Sequence, residues 1–242
     1  MDKKQILQAL KFAKELSQKR NFKQSVELII NLKGLNLKKP EHQVDLYVNL
    51  HKPRGKEVKL CALIGIELQA TAKENCDNVI LLDDFIKFAK DKKATKKLAN
   101  EYDFFIAQAN IMPKVASTFG RVLGPKGKMP NPKAGCVVPP KANLKSLKEN
   151  LKNTVKVTAK VKPIIQCTIG KEDMDDADLA ENIMTVYDQL VHHLPNEVHN
   201  IKSTYIKLTM GKSIKVGQEY KAEEKKEKPA KEKAEKKDEP KK

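Results

Sequence analysis

Val155-Lys156-Val157-Thr158-Ala159-Lys160-Val161 alternates apolar and polar residues without interruption. Successive side chains of a strand point to opposite faces, so this run predicts a strand with one buried and one wet face. That is the habit of an antiparallel sheet covered on one side. The same alternation stands near the start of the chain. There Val26, Leu28, Ile30 and Leu32 oppose Glu27 and Asn31, and Val44, Leu46, Val48 and Leu50 oppose Asp45, Tyr47 and Asn49. It stands again near the end, where Ile206 and Leu208 face one way and Ser203, Tyr205, Lys207 and Thr209 the other. Two amphipathic helices accompany these strands: one over 3–19 with Ile6, Leu10, Ala13 and Leu16 on its apolar face, and one over 173–194 with Leu179, Ile183, Val186 and Leu190.

The intervening sequence follows a different rule. Residues 60–64, 79–82 and 104–107 are short, continuous apolar runs, which suit strands buried on both faces in a parallel sheet. Helical segments are predicted between and after them, over 67–74, 84–100, 113–119 and 142–151. Alternating strand and helix describes an α/β unit with right-handed crossovers. The predicted fold is therefore mixed, α/β and α+β: a discontinuous split β-α-β domain, residues 1–61 plus 155–217, with a Rossmann-like α/β domain, residues 62–154, inserted at a two-strand hinge. Residues 218–242 are almost entirely Lys, Glu, Ala, Asp and Pro, and read as a disordered tail.

Lys+Arg 48 against Asp+Glu 31 give a net charge of +17, which makes an anionic partner the leading expectation. From Glu219 onward ten lysines face eight acids, so +15 resides on the rest of the chain. Arg20, Arg54 and Arg121 are the only arginines. Lysine makes point-charge contacts to phosphate, whereas the bidentate fork that reads guanine edges belongs to arginine. Recognition of backbone or shape is thus favoured over reading of bases. The absence of Trp, with five Tyr and seven Phe, argues against extensive stacking on single strands.

Other classes find little support. Cys61, Cys76, Cys136 and Cys167 are scattered without a C-x-x-C pair, as expected of reduced, buried thiols in a cytoplasmic protein. The opening Met1-Asp2-Lys3-Lys4-Gln5 starts an amphipathic helix instead of a signal peptide, and no apolar run approaches the ~20 residues that span a bilayer. His192, His193 and His199 lack zinc spacing, and the acids at 173, 175, 176 and 178 lack the glycine and terminal glutamate of a calcium loop. No metal, cofactor or membrane partner is expected, and no nucleophile–base spacing suggests an enzyme.

The densest run of glycine, proline and lysine is 120–140, Gly-Arg-Val-Leu-Gly-Pro-Lys-Gly-Lys-Met-Pro-Asn-Pro-Lys-Ala-Gly-Cys-Val-Val-Pro-Pro. Such a run specifies a shaped loop. Arg121, Lys126, Lys128 and Lys133 invite a phosphate-binding reading, yet the phosphate loops fail. Gly127-Lys128 has Val122 where a Walker A motif needs its first glycine and Met129 where it needs Ser or Thr; Gly211-Lys212-Ser213 has Ile206 in the leading position.

Gly120, Arg121, Gly124, Pro125, Lys126, Gly127, Pro130, Asn131, Pro132 and Gly135 instead resemble the signature of the large-subunit ribosomal protein L-one family, the lateral stalk protein, in its archaeal form. The resemblance extends over about 2–216. It implies the same split-domain arrangement, binding of large-subunit ribosomal RNA, and residence in the large ribosomal subunit. It also implies help with release of exit-site tRNA, repression of the protein's own messenger RNA, and a monomer outside the ribosome.

The residues that would touch RNA can be read both ways. Ser203, Tyr205 and Lys207 share a wet strand face that ends in Thr209-Met210-Gly211. Small hydroxyl side chains suit the shallow, 2′-hydroxyl-lined minor groove of A-form RNA, although an ordinary solvated strand has the same pattern. The resemblance matches Ser203, Thr209, Met210 and Gly211 to the family's RNA-contacting motif, and Phe22, Ser25 and Glu27 to the other half of that surface. Lys212 departs from the proline usual in the family at this point. Phe22 would otherwise staple the first helix to the core. Lys160 and Lys162 flank the strand leading to an expected loop at 168–171, whose Gly170 is counted with the set; they either approach the RNA backbone or are solvated charges. The rival function is an α/β enzyme taking a phosphorylated or nucleotide ligand at the 120–135 loop. A third is a general nucleic-acid chaperone.

Overall fold

The computed structural model describes residues 1–140 and 142–218; the expected tail lies, but for its first residue, outside them. In chain order the elements are α1 (Lys3–Leu16), β1 (Ser25–Leu32), β2 (Val44–Asn49), β3 (Leu60–Ile64), α2 (Gln69–Asn75), β4 (Asn78–Leu81), α3 (Phe85–Lys90) and α4 (Lys92–Glu101). They continue with β5 (Phe104–Gln108), α5 (Met112–Leu123), β6 (Val137–Val138), α6 (Leu144–Asn153), β7 (Thr154–Ala159), β8 (Ile164–Lys171), α7 (Asp176–His193), β9 (Ile201–Leu208) and β10 (Ile214–Lys215).

β1 and β9, two of the alternating strands, assemble with β8 and β10 into an antiparallel sheet of order β10-β9-β1-β8. Its apolar side carries Val26, Leu28, Ile30, Ile165, Ile169, Ile206 and Leu208, packed against Ile6, Leu10 and Ala13 of α1 and Leu179, Ile183, Val186 and Leu190 of α7. Each fully buried side chain of this size removes apolar surface worth about 1.5–3 kcal/mol, which makes the two helices a lid on one side only. Leu16, expected on the buried stripe, is the last residue of α1 and is exposed. Among the described residues no helix covers the other side of the sheet, and the loop at 127–136 borders only its β8 flank.

Among the described residues β2 and β7 pair only with each other, antiparallel, from Val44 opposite Ala159 to Asn49 opposite Thr154. The chain leaves through β2 and returns through β7. Between them, β4-β3-β5-β6 form a parallel sheet. Its continuous apolar runs are explained by burial on both faces: Cys61 and Leu63 face a core with Phe85, Phe105, Val115 and Phe119, while Leu60, Ala62 and Ile64 face one with Ile106, Leu144 and Leu151. The fold is thus a discontinuous antiparallel unit with an α/β unit inserted.

Several expected boundaries move. Leu60 and Cys61 already belong to β3, so the parallel sheet begins before residue 62. The single helix expected over 84–100 is two, because Asp91 turns the chain out at φ −104°, ψ 93° and its carboxylate accepts from the Lys93 and Ala94 amides at 2.8 and 3.1 Å. Such a side chain satisfies the free donors of a new helix start. The strand at 155–161 stops at Ala159, leaving Val161 and Lys162 exposed in a turn. Residues 168–171 are no loop: they complete β8, whose Ile165, Cys167 and Ile169 alternate inward. Among the described residues no helix is long and apolar enough to cross a membrane.

Candidate nucleic-acid interface

The uncovered side of the antiparallel sheet is built from three strands in fixed register. Glu27 lies opposite Lys207, Ile29 opposite Tyr205 and Asn31 opposite Ser203, while on the other flank Glu27 meets Thr168 and Ile29 meets Gln166. Period-two geometry therefore gathers Ser25, Glu27, Ser203, Tyr205, Lys207 and Thr209, all expected from the sequence, onto one face. Asn31, Gln166 and Thr168 join them. The latter two are weakly marked in the sequence, because Ile164 breaks the apolar–polar alternation at the start of β8.

Charge on this face is largely balanced. Lys207 Nζ and a Glu27 carboxylate oxygen lie 3.5 Å apart, both partly screened by neighbours. Asn31 donates to the Ser203 hydroxyl at 3.0 Å, leaving that hydroxyl free to donate outward. Positive charge sits at the margin instead, on exposed Lys19, Arg20 and Lys23 before the sheet and Lys212 after it, with Lys23 paired to Asp173 at 2.5 Å.

One end of the face is fastened more tightly than the rest. Thr209 Oγ1 accepts from the Ser25 amide at 3.0 Å and donates to the Ser25 carbonyl at 3.3 Å. A hydroxyl has one donor and two acceptor sites, so Thr209 keeps one acceptor for an outside donor. The Met210 amide donates to Gln24 Oε1 at 3.1 Å, and Gln24 Nε2 donates to Ser17 Oγ and the Gln18 carbonyl at 3.0 and 3.3 Å. Gly211 closes the turn with its amide on the Leu208 carbonyl at 2.9 Å. Gln24 is wholly buried, and no sequence pattern marked it. Above this scaffold two large apolar side chains stand out in solvent, Phe22 at 52% and Met210 at 61% exposure. Phe22 is therefore not the core staple that the alternative reading made it.

Three expected residues lie elsewhere. Gly170 is buried, and a Cβ there would come within 2.5 Å of Leu179 and 2.7 Å of Met174, so its missing side chain admits α7. Lys160 and Lys162 occupy the β7–β8 turn, at the Ile164–Asn31 end of the sheet. That is about 20 Å from Ser25 at the strand rise of ~3.3 Å per residue. Lys160 is paired with Asp45 at 2.7 Å.

The 120–135 segment belongs to the inserted unit. Gly120 and Arg121 lie in the last turn of α5, and Gly124, Pro125, Lys126 and Gly127 make the following turn. Of its lysines, Lys126 and Lys133 are exposed and Lys128 is partly buried. Lys126 bonds the Asn100 side chain, and Lys128 donates to the Ala99 and Tyr102 carbonyls at 3.0 and 2.7 Å, satisfying the end of α4. Burial lowers the Lys128 pKa, and Asp103 works against that shift. Pro130 is buried, Asn131 caps the short turn Pro132–Ala134 through the Lys133 amide at 2.9 Å, and Gly135 ends it at φ +70°, a left-handed conformation that favours glycine.

Among the described residues no cluster of three or more His, Cys, Asp or Glu could hold a metal ion. Cys61, Cys136 and Cys167 are buried free thiols. Burial pushes the Cys136 and Cys167 thiols up to about 11 and about 12, the opposite of a reactive thiolate.

Comparison with known proteins adds an independent line. Residues 10–212 match the family model of the Ribosomal protein L1p/L10e family. The chain is 46% identical to the large ribosomal subunit protein uL1 of Methanothermococcus thermolithotrophicus over 211 residues, 87% of this chain and 97% of the relative. It is 46% identical to the same-named protein of Methanobrevibacter smithii, covering 88% and 98%, and 41% identical to that of Thermococcus kodakarensis, covering 89% and 98%.

Proposed function

The chain belongs to the Ribosomal protein L1p/L10e family, and from that membership and the open sheet face we propose that it is a structural protein of the large ribosomal subunit that binds folded ribosomal RNA of the lateral stalk. The observation that carries the reading is the Thr209-Met210-Gly211 turn, fastened to Ser25 and Gln24, with the Met210 side chain and nearby Phe22 exposed. A rigid, hydroxyl-rich face with little net charge fits the wide minor groove of A-form RNA. There the spare acceptor of Thr209 meets a 2′-hydroxyl donor. The basic margin meets the phosphates on either side, so affinity falls steeply as salt rises.

The same proposal includes two finer roles: assisting departure of exit-site tRNA, and repressing translation of the protein's own messenger. The second follows if the messenger imitates the stalk site, since one face then binds either RNA. We take the RNA-binding unit as 1–59 with 154–217, and the inserted unit as 60–153. The rival, a phosphorylated ligand processed at 120–135, is disfavoured because Lys126 and Lys128 are committed to α4.

Filter binding with a stalk RNA fragment tests the reading. The triple variant Phe22→Ala, Thr209→Ala, Met210→Ala is expected to lose at least about tenfold in affinity, which is about 1.4 kcal/mol, with its fold intact by circular dichroism. Wild-type affinity in that variant would sink the proposed face. A messenger fragment bound at the same site competes with stalk RNA one for one.

A further inference from the structure

A second basic site lies where the two units meet. A cavity of about 310 Å³ is bounded by Tyr47 and Lys156 of the β2–β7 ladder, by β8, and by the loop at 127–136. That volume is at the small end for ligand pockets. Its wall carries four cations, Arg54, Lys56, Lys128 and Lys156, against one carboxylate, Asp103.

Three of the cations are already occupied in part. Lys56 pairs with Asp103 at 2.9 Å, Lys128 donates to two carbonyls, and Lys156 donates to the Gly127 carbonyl at 3.2 Å. Arg54 differs: its Nε is buried with no hydrogen-bond partner. Leaving a desolvated, charged donor unmatched is costly, so the site is built for an acceptor. A guanidinium fork suits the paired oxygens of a phosphate better than a lysine does. Burial lowers the Arg54 pKa, with Asp103 opposing, and an arginine so placed still keeps its charge.

We propose that this cavity is an anion site that takes a phosphate group, with Arg54 as its principal ligand and Lys156 and Lys128 beside it. Either free orthophosphate or a phosphodiester of bound RNA supplies that chemistry. The RNA source rests on the function proposed above, and geometry favours it: Gln166 and Thr168 line the cavity and also stand on the open face, opposite Ile29 and Glu27. A phosphate held here touches the antiparallel unit through Lys156 and the inserted unit through Lys128 at once. It therefore ties the two together.

The test uses the full chain, with Arg54→Met and, as a variant less prone to disturb folding, Lys156→Gln. Inorganic phosphate is titrated at low ionic strength and followed by calorimetry, and stalk RNA affinity is measured across a salt series. Saturable one-to-one phosphate binding that drops at least about tenfold in Arg54→Met identifies free phosphate as the ligand. No phosphate binding, but a salt slope shallower by about 0.7–0.9 in Arg54→Met, identifies an RNA phosphodiester. In that series Thr209→Ala lowers affinity without changing the slope. Folded variants that alter neither phosphate binding nor the slope overturn the proposal. If wild-type protein fails to bind stalk RNA, the function above falls and the phosphate titration alone decides the cavity.

Discussion

Gln24 never reaches the surface, yet it sets the position of the Met210 amide and anchors the end of α1 through Ser17 and Gln18. Gln24→Leu keeps the volume and strands those groups, so it is expected to cost about 1–3 kcal/mol in urea unfolding. It is also expected to weaken stalk RNA binding without touching RNA, an outcome a purely structural residue would not give. A lone glutamine between a helix and a strand carries no periodicity, which is why its role appears only in three dimensions. Gly170 is a comparable case with a different cause: Gly170→Ala forces its Cβ on Leu179 and Met174, with an expected loss of about 1–3 kcal/mol. The buried thiols give a pH test. With Cys167 raised to about 12, the folded state holds its proton where the unfolded chain, near 8.5, releases it. Its contribution is complete below the unfolded value and is lost between about 8.5 and 12. Denaturation midpoints of wild type should therefore fall faster above pH 9 than those of Cys167→Ala.

Asp91 shows how an element boundary is decided by one side chain. With the Lys93 and Ala94 amides unsatisfied, Asp91→Ala should lose about 0.5–2 kcal/mol, and thermal unfolding of the full chain measures it. The strands with strict alternation were legible because one wet face and one buried face impose it, and the buried strands because both faces are apolar. β8 is weakly marked in the sequence for identifiable reasons. Pro163 precedes it, Ile164 places an apolar residue on the wet side, and Gly170 interrupts the end. Its inward Ile165, Cys167 and Ile169 were present, yet three residues between turn signals weigh little beside the longer runs. Losing β8 also lost Gln166 and Thr168 from the candidate face. By contrast, β9 and β1 yielded their facing residues directly, since register follows once the buried side is known.

The whole molecule is two units joined through β2 and β7. A chain lacking 60–153, with a flexible linker closing Lys59 to Thr154, keeps β10-β9-β1-β8, α1 and α7, and so should retain stalk RNA binding at low salt. If the cavity at the junction holds an RNA phosphate, that shortened chain is expected to show a salt slope shallower than wild type, because Lys128 and the loop are gone while Arg54 and Lys156 remain. The same layout orders events in time. The strands at 60–138 find their partners within the inserted unit, but β1 at 25–32 must wait for β8 at 164–171 and β9 at 201–208. Distant pairings form late, and a chain made from its N-terminus cannot complete them early. During synthesis the inserted unit can therefore be finished while β1 is still an unpaired strand. The proposed RNA-facing surface is completed only when the final strands emerge, so an unfinished copy of the protein cannot act as a finished one.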